Sequence, residues 1–181
     1  SYLHPLEEKI QDDRGLLELL SVWKYVLKEY PKAELRIFYG WEGCMKLGAG
    51  SADWVSRYHD LREEYLKLKN QPGVIEHGRV PHHEIADWMR RAHVLPYVSS
   101  FGETWCSNLM KSRAAGLVPV VSPIAALPES GACDQTVWVD YLRGGEQSSD
   151  FMWRYFEGIT KALATTDAAR ITMAKDAIEQ Y

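Results

Sequence analysis

The chain has 181 residues, 46% hydrophobic and 25% charged, with a net charge of −4. That make-up predicts one soluble globular domain and, lacking clustered Lys and Arg, excludes non-specific nucleic-acid binding as a role. Three cysteines without CxxC spacing, Cys44, Cys106 and Cys133, fit a reducing compartment. No apolar run approaches the ~20 residues a membrane helix needs. No signal peptide is recognisable, so the expected location is cytoplasmic.

Residues 1–14 read as irregular. Gly15 opens a helix with Leu16, Leu19, Leu20, Trp23, Val26, Leu27 and Tyr30 on one stripe, and Pro31 stops it. A strand is predicted over 33–39, a Gly-rich loop over 41–51, and a helix over 52–69 with Trp54, Tyr58, Leu61, Tyr65 and Leu68 on one face. Pro72-Gly73 is a turn, 74–80 a strand, and Pro81 suits the first turn of a helix carrying Ile85, Trp88, Met89 and Ala92. His93–Val98 reads as a strand buried on both faces. A loop with Gly102 and Glu103 follows, then a helix through Leu109, Met110 and Ala114 that ends at Gly116. Val118–Val121 is the next strand, 123–128 a loop, 136–140 a last strand and 143–149 a Gly/Ser loop. A helix over 151–163 and a final one starting at Thr165-Thr-Asp167 close the chain.

Strand and helix alternate throughout, which predicts an α/β fold with a parallel sheet flanked by helices. Such sheets bind ligands at the carboxyl ends of their strands. The stretch from Ser99 to Pro128 supplies two of those loops. In it stand Glu103, then Ala114, Ala115, Gly116, Pro119, Val120 and Val121, then Leu127-Pro128-Glu129. This pattern resembles the nucleotide-sugar-binding half of GT-B glycosyltransferases of family 4, the retaining enzymes. Their pattern is a glutamate, a second glutamate, Ala-x-Ala-x-Gly-x-Pro-Val-Val and Leu-Pro-Glu. The second glutamate is replaced: eight residues after Glu103 stands Lys111.

The resemblance covers about residue 12 to the C-terminus. It implies a Rossmann-like sheet of order 3-2-1-4-5-6, the C-terminal half of a GT-B fold, with residues 1–181 forming a single donor-binding domain. Its first strand should precede Arg14, although residues 2–10 make a poor strand. The implied reaction is transfer of a sugar from a nucleotide diphosphate sugar to an acceptor hydroxyl, in hexosyltransferase-like carbohydrate biosynthesis, with retention. An N-terminal acceptor domain, in the same or another chain, would be the partner, and this domain alone would turn over little. No cofactor or metal is expected. A lipid-linked acceptor would make the protein peripheral to a membrane.

Residue by residue, the resemblance places the diphosphate between Lys9, Arg14 and the helix starting at Cys106. Lys9 and Arg14, with four residues between them, exchange the family's arginine and lysine; Arg14-Gly15 matches its basic-Gly step. Read without the family, Lys9 and Arg14 are surface cations. Gly102, Thr104, Trp105 and Cys106 line the donor loop, and Glu103 is the candidate catalytic residue, accepting bonds from sugar hydroxyls. Its alternative is an acid stabilised by a helix dipole. Lysine has no acceptor, so Lys111 either donates to ribose oxygens, meets a phosphate, or marks a weakened site. Arg79 and Val80 fall at the base-binding edge. Glu129 reads as a helix-start acid.

His77, His82 and His83 lack zinc-site spacing, and Trp23, Trp54 and Trp88 fall on apolar stripes and read as core. Two alternatives remain at this point: a degenerate, non-catalytic binding module, and half of an epimerase or phosphorylase of the same fold.

Overall fold

The computed structural model describes residues 15–38, 52–100, 102, 104–141 and 149–180. In chain order the elements are α1 (Leu16–Glu29), β1 (Leu35–Ile37), α2 (Ala52–Leu68), β2 (Val74–Glu76), α3 (His82–Met89), β3 (Val94–Tyr97), α4 (Ser107–Ala114), β4 (Val118–Val121), α5 (Leu127–Gly131), β5 (Val137–Trp138), α6 (Ser149–Leu163) and α7 (Asp167–Gln180). All strand pairs are parallel, in two sheets ordered β1-β2 and β3-β4-β5. Numbered from a strand before Arg14, these are the 3-2 and 4-5-6 portions of the expected order. The strand expected before Arg14, the loop at 41–51 and the side chain of Trp54 lie outside the described residues.

β4 is the centre. All four of its residues are buried, and the two-residue period of a strand divides them between two cores. Val118 and Val120 face the larger core with Val139, Phe151, Tyr155 and Ile159. Val121 faces a smaller one with Cys106, Leu109 and Leu127. Each such side chain stabilises by about 1.5–3 kcal/mol on full burial. Gly158 lets α6 approach: a Cβ there would lie 3.2 Å from Val120 and Val137 and 3.3 Å from Val139.

Gly116 ends the α4 segment with φ +84, which a side chain would resist. Arg113, 1% exposed, donates to the Ser130 carbonyl at 3.0 Å and to Gln180 Oε1 at 3.1 Å, fastening α4 to α5 and α7. Arg170 of α7 donates to the carbonyls of Gly116 and Ala92. The Thr166 hydroxyl accepts from the Ala169 N–H, so the final helix starts where the Thr-Thr-Asp run predicts.

Three expectations are corrected. β3 is only half-buried at all four positions, not covered on both faces. α3 has no buried residue, so its stripe is not a core stripe. Trp88 is instead flanked by cations: the guanidinium carbons of Arg36 and Arg91 each lie 3.8 Å from its ring centroid. Apart from β4, the strands are also shorter than predicted. β2 stops at Glu76, leaving Arg79 and Val80 beyond it.

Candidate functional site

The carboxyl ends of β3, β4 and β5 converge with the starts of α1 and α4. After β3 the chain runs through Val98, Ser99 and Ser100, all buried, and after β4 through Ser122, also buried. The Ser99 N–H donates to Ser122 Oγ at 2.9 Å, pinning the two loops together. Burial of three consecutive loop residues is unusual, because loop backbone needs polar partners. Here Ser122 supplies one of them.

Gly15 sets where α1 begins. Its φ is +65, and a Cβ would lie 2.3 Å from Val98 Cγ2 and 2.8 Å from the Val98 carbonyl oxygen. Only glycine combines that backbone with that contact. The result puts the N-terminus of α1 directly against the end of β3. α4 starts nearby at Cys106, where a thiol stands in place of the stronger acceptors Ser, Thr, Asp and Asn. The first N–H groups of a helix have no intrahelical partner and carry positive partial charge. The start of α1 thus lies against the end of β3, and the start of α4, through Cys106, packs with Val121 at the end of β4.

The loop after β4 forms the other wall. Ala125 holds φ +49, a left-handed conformation rare for a residue with a side chain. Its Cβ lies 3.9 Å from where a Cβ on Gly102 would be. A non-glycine residue kept in this region signals a loop over-determined by its surroundings, which is common at ligand sites. Thr104 and Trp105, the latter 55% exposed, stand on the open side of the crevice.

Of the sequence-derived site residues, Gly15 packs on Val98 and Cys106 on Val121, while Gly102, Thr104 and Trp105 are exposed between β3 and α4. Lys9, Arg14 and the candidate catalytic Glu103 lie outside the described residues. Lys111 is exposed in the last turn of α4, five residues past Cys106. There its charge also complements the helix C-terminus. Arg79 is exposed and Val80 half-buried, beyond β2 on the two-stranded sheet. Glu129 is in the first turn of α5, as expected of a helix-start acid.

One pair went unread. Glu18, in the first turn of α1 and 4% exposed, accepts a 2.9 Å hydrogen bond from the Tyr141 hydroxyl. It ties α1 to the segment after β5. An acid in a first turn is favoured by the dipole, but its partner lies 123 residues away.

At the far sheet, Glu76 titrates below the ordinary carboxylate range. Burial works to raise its pKa, but the Lys69 and Tyr65 side-chain hydrogen bonds and the charges of Lys69 and Arg62 outweigh it. His77 is bonded to Arg36 at 3.1 Å and stacked on Phe38. Among the described residues, no group of three or more His, Cys, Asp or Glu side chains could hold a metal ion.

No family model matches the sequence, and no curated protein matches it. Solved structures do. A chain of the "GtfA/B complex" crystal structure aligns with a TM-score of 0.67 at 12% identity, over 96% of this chain and 31% of that one. A glycosyltransferase from Rickettsia africae ESF-5 aligns with a TM-score of 0.49 at 13% identity, over 96% of this chain and 45% of that one. The likeness is one of fold. The α/β arrangement of small parallel sheets flanked by helices is that of a Rossmann-like half-domain, and the chain spans about a third of the length of the first neighbour.

Proposed function

We propose that this chain is the donor-binding half of a glycosyltransferase, seating a nucleotide diphosphate sugar in the crevice at the ends of β3 and β4. The observation that carries the reading is Gly15 packed on Val98, which sets the start of α1 against the end of β3. Helix starts suit a diphosphate, and the fold shared with the GtfA/B chain supports the reading. Lys9 and Arg14 would add full charges beside the α1 start. Glu103, repelled by phosphate, would accept from sugar hydroxyls, and Lys111 would meet the ribose or a phosphate.

The protein's contribution would be electrostatic: donors already in place stabilise charge developing on the departing diphosphate. Retention of anomeric configuration and independence from metal belong to this reading. A further domain, in this or another chain, would bring the acceptor, so the domain alone would bind donor and turn over little. The exposed Lys111 favours one competing reading, a non-catalytic module of the same fold.

The test is thermal unfolding against UDP, GDP, ADP and dTDP sugars in EDTA, repeated with Lys111→Glu. At 100 times the dissociation constant a ligand adds about 2.7 kcal/mol, a rise of roughly 5–10 °C in a domain of this size. A rise with one nucleotide class is expected, reduced in Lys111→Glu. No rise with any nucleotide in the folded protein would move the reading to the non-catalytic module.

A further inference from the structure

Away from the crevice, α1 and α6 pack side by side and present a line of aromatic rings. Tyr25 is 45% and Trp153 58% exposed, with the half-buried Phe156 between them. The Tyr25 and Phe156 centroids are 6.3 Å apart and the Phe156 and Trp153 centroids 5.3 Å. Beside Tyr25 stand the exposed Lys24 and Lys28, and the exposed Lys32 follows in the turn after α1. The Lys24 and Lys28 ammonium groups lie 5.0 and 5.4 Å from the Tyr25 centroid.

Like the exposed Arg62, Arg79, Arg91, Lys111, Lys161 and Lys175, these lysines make no ion pair among the described residues, unlike a second set of cations. Arg36, Lys67, Lys69, Arg90, Arg154 and Arg170 each have a carboxylate partner. Arg154, on the same surface, is matched by Asp150, and the remaining exposed acids of these two helices, Glu29 and Glu157, are outnumbered by the lysines.

We propose that this α1–α6 surface seats on an anionic lipid layer. Tyr and Trp carry an apolar body with a polar tip, the combination enriched at the headgroup level. Lysine stems run along apolar surface while their ammonium groups reach lipid phosphates. The choice of lysine also decides against a protein partner, since protein interfaces enrich aromatic residues with arginine and deplete lysine. Tyr25 lies ten residues along α1 from Gly15, roughly 15 Å. Seating here leaves the crevice open, and the inference stands whether or not the donor reading does.

The experiment is cosedimentation of the full chain with vesicles of phosphatidylcholine alone or of an equimolar phosphatidylcholine–phosphatidylglycerol mixture. Binding to the mixed vesicles only, released by salt, is expected. Lys24→Glu/Lys28→Glu should weaken it by at least about tenfold, Lys24→Arg/Lys28→Arg should retain it, and Tyr25→Ala/Trp153→Ala should weaken it several-fold. All four positions are exposed, so melting temperatures should hold; if charge reversal unfolds the chain, Lys24→Gln/Lys28→Gln carries the same test. Absence of binding to the mixed vesicles, or equal binding by wild type and both loss variants, would overturn the proposal. Capture on soluble polyglutamate as strong as on vesicles and indifferent to the aromatic pair would overturn it too, in favour of an acidic protein partner.

Discussion

In the three-stranded sheet every residue of β4 is buried, whereas β2 in the two-stranded sheet has no buried residue. The contrast extends to the helices. α6 packs on β4 through Phe151, Tyr155 and Ile159, all 3% exposed or less. α3 meets its sheet through Trp88, stacked against Arg36 and Arg91. β4 and α6 are held by hydrophobic burial, which is non-directional and large, and β1 joins that core through Leu35 and Ile37. The α3 face of the two-stranded sheet relies instead on cation–π contacts that stay partly wet and are individually small. The loops after β3 and β4 rise from that core, and the proposed diphosphate site would gain from such a foundation.

That contrast can be broken deliberately. Leu109→Ala, in the fully buried core under α4, should cost about 2–5 kcal/mol, read from urea unfolding. Gly15→Ala should cost roughly 2–3 kcal/mol, because it adds left-handed strain to a collision with Val98. It should also remove any nucleotide-dependent rise in melting temperature, since α1 can no longer start against β3. Trp88→Ala, in the weaker region, should cost only about 1–2 kcal/mol and leave the crevice unaltered; a loss as large as that of Leu109→Ala would erase the distinction.

The smallest effect is a pH dependence. The Glu76 pKa is lowered on folding, so its contribution is present above the unfolded value near 4.5 and is lost as pH falls through the folded value. Acid titration of wild type against Glu76→Gln should show the variant less pH-dependent below about pH 4.5. Parallel curves would contradict the assignment of that charge to the Lys69–Tyr65–Glu76 cluster.

Much of the fold was legible because β4 and its helices obey simple periodicities. Val118–Val121 is a short β-branched run between a helix-ending glycine and a Pro-containing loop, and each feature has a local cause. β3 was misread for a non-local reason. The same apolar composition is fully covered only if neighbours exist on both sides and both faces, and its surroundings depend on pairing order. α3 was misread because its stripe implied an apolar partner, while the facing strand carries Arg36 and His77 follows directly after β2. The start of α1 at Gly15 and the loop entering α4 were legible because both depend on backbone chemistry. Glu18 with Tyr141, and Arg113 with Ser130 and Gln180, were not: a buried polar group is recognised only through a partner that may lie anywhere in the chain.

The most direct test of a donor site in this crevice is amide hydrogen exchange of the full chain with and without saturating UDP, GDP, ADP or dTDP sugars. Donor seating predicts that one nucleotide class slows exchange at the start of α1, through the loop from Val98 to Cys106 and the first turn of α4, and in the loop after β4. Protection confined to α3 and the two-stranded sheet, or none with any nucleotide, would contradict it.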